Sequence, residues 1–381
     1  MGQYGKSHLG RYHNDRLILL VAFGIGVALL AMVVLSGCSP AVISVDDRIE
    51  LTIPTYDGSG QVAHPTVIDF LSEYGLEQWG GYRFWMSGSP YPGANDFYEN
   101  PCLWVSDDGF VWEMPDGIEQ PLANAPRDYH RRNIYNSDPT IVYNPLTDEI
   151  ELYYRESRGR EDEASIELHR IDICLDERTS GVDNRVDPLN GPHDAMTYRV
   201  RPVTIVTTPF TRSWSILSPS VVIDDEGVHY MFAVSNAVEG SYGVIVMNGG
   251  THGILYDEPL NCLPGDDQYP KGPEGLPPFE PWHLCAKRRP DSDEITMLIN
   301  GQVFGSKTRM RNLFWAHTSF DDLAAMVIGN RDPIIEATSE WQPYRSTFVD
   351  ANDELGTPLR LWINGYTTRP PQHWSIFYIE K

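Results

Sequence analysis

The chain has 381 residues, 41% of them apolar and 22% charged, with a formal net charge of −24. That length and balance exclude a wholly disordered chain, and the negative charge argues against nucleic acid or anionic lipid headgroups as partners. Aromatic residues make up 11%, and 32 glycines and 29 prolines favour short strands joined by many turns over helical bundles.

In chain order the first feature is a targeting segment. Lys6, Arg11 and Arg16 precede an almost unbroken apolar run, Leu17 to Leu35, which closes on Leu35-Ser-Gly-Cys38. A branched apolar residue, two small residues and a cysteine resemble the lipobox of bacterial lipoproteins. The resemblance implies a signal peptide over residues 1–37, lipidation of Cys38 and anchoring at the outer face of the cell membrane. An uncleaved membrane helix is the alternative, because the run is long enough to span a bilayer. The basic flank stays inside in either case and leaves the rest of the chain extracytoplasmic. Residues 38–60 read as a linker and 61–381 as the folded domain.

Within that domain one hairpin pattern recurs five times. A polar residue leads a β-rich run, a turn follows, and a second strand rich in aromatic or aliphatic residues returns. The copies start at "AHPTVIDF" (from Ala63), "SDPTIVYNPLTDEIELYYRE" (from Ser137), "LSPSVVIDDEGVHYMFAVSN" (from Leu217), "WHLCAKRRPDSDEITMLING" (from Trp282) and "YRSTFVDANDELGTPLRLWING" (from Tyr344). Their leading residues are His64, Asp138, Ser218, His283 and Arg345, spaced 74, 80, 65 and 62 residues apart. Each interval has room for two further strands, so the pattern predicts an all-β, five-bladed propeller. A pair of β-sandwiches is the alternative. In a propeller the first strand of each blade lines the axis, so the five leading residues converge at one mouth of the tunnel.

Five blades with a polar residue and proline ahead of the inner strands resemble the five-bladed glycoside hydrolases of families 43 and 32. That resemblance implies three carboxylates from the first three blades, acting as base or nucleophile, orienting aspartate and general acid. Asp138 matches the orienting aspartate. His64 and Ser218 stand where the other two carboxylates belong, and Ser218 can be neither acid nor base at neutral pH. Glu99, on the loop Ser87 to Pro101, and Glu156, at the end of the second strand of blade two, are the expected replacements. Asp96 and Tyr98 on the same loop, with Arg155, His64, Ser218, His283 and Arg345, are the expected sugar contacts. Trp214 and Trp282 are candidate stacking walls. Asp138→Asn is expected to remove turnover with stability nearly intact.

No metal motif is present, and a calcium shared by His283 and Asp138 at the axis is the one weak alternative to a cofactor-free site. Cys102, Cys174, Cys262 and Cys285 allow two disulfides, Cys262 with Cys285 first, or four buried thiols. Serine-hydrolase, P-loop, dinucleotide and HExxH signatures are absent. Two functions follow: an exported, anchored glycoside hydrolase, or a non-catalytic propeller that binds a glycan or another envelope component.

Overall fold

The computed structural model describes residues 48–125, 134–158, 165–176, 198–207, 216–238, 241–262, 279–290, 292–303, 311–328, 333–349 and 359–381. Cys38 and Trp214 lie outside these residues.

The recurring hairpins become the inner pairs of five antiparallel blades. Blade one is built from Val62–Asp69, Phe84–Pro90 and Cys102–Ser106. Blade two uses Tyr135–Asn144, Glu149–Arg158, Ser165–Leu175 and Tyr198–Val203. Blade three uses Ile216–Ile223, His229–Val238, Ser241–Asn248 and Leu260–Asn261. In blade four the order is Phe279–Arg288, Glu294–Val303, Asn312–Ser319 and Asp322–Ile328. Blade five joins Thr347–Val349, Arg360–Thr367 and Trp374–Glu380. The alternative of two sandwiches is thereby set aside.

Blade five corrects the expected linker. Ile49–Glu50 pairs antiparallel with Tyr378 and Phe377 as its outer strand, and Ile53 is buried beside Trp104 and Trp362. The start of the domain thus closes the ring against its end, which removes an exposed edge.

Inner strands meet around the axis through side-chain contacts as well as packing. Thr66 Oγ1 reaches Thr140 Oγ1 at 3.3 Å, Val67 N donates to Thr347 Oγ1 at 3.3 Å, and Ser220 Oγ bridges Ala286 N at 2.9 Å. Between blades lie the bulky cores, with Trp85, Trp104 and Trp362 fully buried. The expected disulfides are absent: Cys102, Cys174, Cys262 and Cys285 are free and buried, and Cys102 and Cys262 pack into the apolar cores as small apolar side chains.

The inner strands share one backbone irregularity. Their ladders slip between Ala63 and Thr66, Ser137 and Thr140, Leu217 and Ser220, and Pro281 and His283. His64, Asp138 and Ser218 hold φ of 58°, 52° and 53° at these bulges. Left-handed backbone at non-glycine residues costs about 1–3 kcal/mol each and persists where the surroundings over-determine it. The proline that follows each offers no N–H to the broken ladder. The bulges at His64 and Asp138 turn their side chains out of the pleat and toward one another, 3.1 Å apart.

Candidate functional site

At the bulged end of the axis the leading residues of blades one, two and four meet. Asp138 is the hub. Its Oδ1 lies 3.1 Å from His64 Nε2 and 3.7 Å from His283 Nδ1. Its Oδ2 accepts from Arg155 Nε at 2.6 Å and from the backbone N–H of Ser218 at 3.1 Å. The three-residue turn Asp96–Tyr98 ends at Glu99 and swings its carboxyl over the mouth, where Oε1 stands 3.1 Å from His64 Nδ1. His64 is therefore sandwiched between two carboxyl groups. All of these side chains are buried.

Burial and charge separate the two carboxyl groups. Burial alone would push Asp138 up, but Arg155 and the other cationic neighbours hold its carboxyl well below the usual range. Burial and then the charge of Asp138 push Glu99 well above it. The two carboxyl groups are thus displaced in opposite directions. Burial pulls His64 down to about 4 and His283 well below its ordinary value, so both rings are neutral at neutral pH.

A neutral His64 has one N–H for two carboxyl neighbours. His64 Nε2, Asp138 Oδ1 and both ring nitrogens of His283 have no hydrogen-bond partner. His64, Asp138 and His283 each offer a ligand atom, and these atoms lie within 4.8 Å of one another. Two imidazoles and one carboxylate form a donor set that suits a first-row transition ion. It matches calcium, which takes six to eight oxygens, less well.

Other expected contacts are placed differently. Ser218 turns its side chain away from the mouth: Oγ donates to Leu284 O at 2.8 Å and accepts from Leu284 N at 3.1 Å, zipping blades three and four. Its part in the site is the backbone N–H on Asp138. Arg345, fully buried, donates to the carbonyls of Pro139 and Pro219, both at 2.9 Å, and so clamps two bulges instead of presenting a cation to a ligand. Glu156 is the clearest correction. Successive strand residues face opposite sides, and Arg155 occupies the side toward Asp138. Glu156 is left to pair with Arg158, beside Glu167 and His169. Asp96 accepts from Tyr91 OH at 3.2 Å, and the Tyr98 ring packs edge-on against Phe97; among the described residues neither side chain is hydrogen-bonded to the central cluster.

An aromatic wall closes the mouth on the side of blade five. Tyr344 sits 4.2 Å from the His283 ring and 5.2 Å from His64, and Trp374 lies 4.9 Å from both Tyr344 and Tyr91. Trp282 reaches His283 edge-on. Tyr344 went unnoticed in the sequence, although it precedes Arg345 as Trp282 precedes His283. Arg311, which lies over Tyr344, carries no local signal at all. At the opposite end of the axis a cavity of about 720 Å³ is lined by Ile68, Ile141, Val221 and the ion pair Lys287–Glu73.

No family model matches the chain. It is 25% identical over 311 residues to the "A type blood N-acetyl-alpha-D-galactosamine deacetylase" of Flavonifractor plautii, over 76% of this chain and 37% of that protein. The chain thus spans little more than a third of that relative's length. The crystal structure of an N-acetylgalactosamine deacetylase from F. plautii, in complex with blood group B trisaccharide, superposes with a TM-score of 0.67 at 20% identity. That match covers 87% of this chain and 94% of the other. The catalytic domain of the Coprinopsis cinerea GH62 α-L-arabinofuranosidase superposes with a TM-score of 0.50 at 11% identity, over 88% of this chain and 96% of that one. Both structural likenesses establish the five-bladed propeller.

Proposed function

We propose that the chain is a glycan-acting hydrolase that cleaves an N-acyl group from an amino sugar, with a divalent transition ion held by His64, Asp138 and His283 and with Glu99 as the group that moves protons. The observation that carries this reading is the buried cage itself. Buried polar atoms nearly always find partners, yet four of them are orphaned within one small cluster. Such an ion supplies a Lewis acid for a substrate carbonyl and acidifies water at neutral pH.

The remaining work falls to the chain's own residues. Arg155 and the Ser218 N–H fix one oxygen of Asp138 and leave the other facing the histidines. Glu99 is held against His64, where its carboxylate form can take a proton from water and, once protonated, return it to a departing amine. The dry surroundings strengthen both interactions. The 25% identical relative, named for removing the acetyl group of N-acetyl-α-D-galactosamine, supports amide cleavage as the reaction class.

A glycoside hydrolase that works by two carboxylates is the second reading. It is favoured by one observation, the opposite displacement of Glu99 and Asp138. Against it, blade three supplies Ser218 in place of an acid, and Glu156 faces away.

Titration calorimetry of the dialysed protein with zinc or manganese tests the cage. One site per chain is expected, and His283→Ala should weaken it by about 10–100-fold or more. No heat of binding from any first-row ion would remove the proposal.

The setting is inferred with the activity. The basic flank and apolar run ending in Leu35-Ser-Gly-Cys38 support a mature chain anchored outside the cytoplasm by a lipid on Cys38. Mass spectrometry of the purified N-terminus should find an acylated Cys38. A chain in the membrane fraction that still starts at Met1 or Gly2 would instead leave a membrane helix as the anchor.

A further inference from the structure

Among the described residues one cation at the mouth meets no carboxylate. Arg155 is paired with Asp138, and Arg345 is bonded to two carbonyls. Arg311, 5% exposed, lies with its guanidinium carbon 4.8 Å from the ring centre of Tyr344, 5.3 Å from Trp282 and 6.0 Å from Tyr366. Its Nε has no hydrogen-bond partner, and among the described residues no carboxylate meets it. The Tyr344 ring beneath it packs 4.2 Å from His283 and 5.2 Å from His64, so Arg311 belongs to the same mouth.

An isolated buried charge is costly unless it is paired and hydrogen-bonded. Aromatic faces offset part of that cost through cation–π attraction, but they accept none of the guanidinium's hydrogen bonds. An arginine packed between rings keeps a rigid fork of donors that matches a planar or tetrahedral oxyanion. The chain as a whole is acidic, at −24, so such a site selects an anion by local geometry against the general field.

We infer that Arg311 is the specificity residue of this site and takes a pendant oxyanion, a carboxylate or a sulfate ester, on the sugar being processed or on its neighbour. The inference rests on the hydrolase reading for its sugar, and on Arg311 and the rings around it for its anion. Tyr344 links the two regions, since it packs against His283 on one side and under Arg311 on the other. The ligand that fits is thus an N-acylated sugar in an acidic glycan.

Calorimetry tests this on wild-type protein with a disaccharide of N-acetylhexosamine and hexuronic acid against its uronate methyl ester. A second pair is a sulfated N-acetylhexosamine against the unsulfated sugar. In at least one pair the acid should bind about 10–100-fold tighter, the range of a charge-assisted hydrogen bond. The pair that shows the preference identifies the anion. Arg311→Met should bring the ratio to about one while keeping affinity for the neutral partner, and Arg311→Lys should keep part of the preference. If that methionine variant fails to fold, the wild-type ratios and the lysine variant still decide. Equal binding within both pairs, or a preference that survives Arg311→Met, would overturn the inference. Acetate release is followed separately on the same sugars. Acid preference without acetate would leave this inference standing and sink the hydrolase reading, whereas equal acetate from acid and neutral sugars would do the reverse.

Discussion

Asp138→Asn is expected to reduce turnover of an N-acylated glycan by about 10³-fold or more, and to destabilise the fold as well. The activity loss follows from position. Among the described residues Asp138 is the one carboxylate in contact with both histidines, and its orientation depends on Arg155 and the Ser218 N–H. Losing one preorganised charged group in a dry site costs about 10²–10³ in rate, and weakening the cage adds to that. The stability loss follows from charge. Removing one member of a buried pair leaves the other uncompensated, at about 3–5 kcal/mol, and here Arg155 would be left so. The sequence alone suggests a substitution nearly silent for stability. The structure revises that expectation, because Asp138 is fully buried under cations. Urea unfolding and turnover of the same variant check both parts. A variant that unfolds normally and still turns over would show Asp138 to be a strand residue with no part in the chemistry.

Glu99→Gln should separate proton transfer from binding. Glutamine keeps the size and the carbonyl oxygen that faces His64, but it can neither donate nor accept the transferred proton. The expected loss in kcat is about 10²–10⁴-fold, with substrate affinity and metal affinity close to those of the wild type. Burial and the charge of Asp138 push the Glu99 carboxyl well above its usual range. Glutamine matches the shape and polarity of the protonated acid, so the fold should keep its stability. A loss confined to KM would mark Glu99 as a binding group and move the acid-base role elsewhere.

The ring of blades was legible because it rests on a repeated local pattern. "HP", "DP" and "SP" ahead of β-rich runs mark the bulges, and the acidic turns mark the hairpin ends. Convergence of His64, Asp138 and His283 followed from that topology. The failures have physical causes. Glu156 was assigned by its distance along a strand, but the pleat sends neighbours to opposite faces, and Arg155 took the inner one. Ser218 and Arg345 were read as free side chains, whereas the strained bulges need bonds of their own. Ser218 ties blade three to Leu284, and Arg345 ties the carbonyls of Pro139 and Pro219. Cys262 and Cys285 are the expected pair because a short Pro/Gly-rich excursion separates them, yet Cys262 lies in the core between blades three and four and Cys285 is buried beside Thr347 Oγ1. Arg311 could not be found by pattern. It stands at the start of a third strand, and its meaning appears only when Tyr344, Trp282 and Tyr366 fold around it.

The central claim is that the axial cage removes an acyl group and leaves the sugar chain intact. Incubation of the purified protein with an N-acetylhexosamine oligosaccharide, scoring acetate and new reducing ends in the same sample, tests it most directly. The account predicts acetate without reducing ends, abolished by a chelator, restored by zinc or manganese, and absent from Asp138→Asn. New reducing ends that form in the presence of the chelator, with no acetate, would contradict it and establish Glu99 and Asp138 as a glycosidase pair.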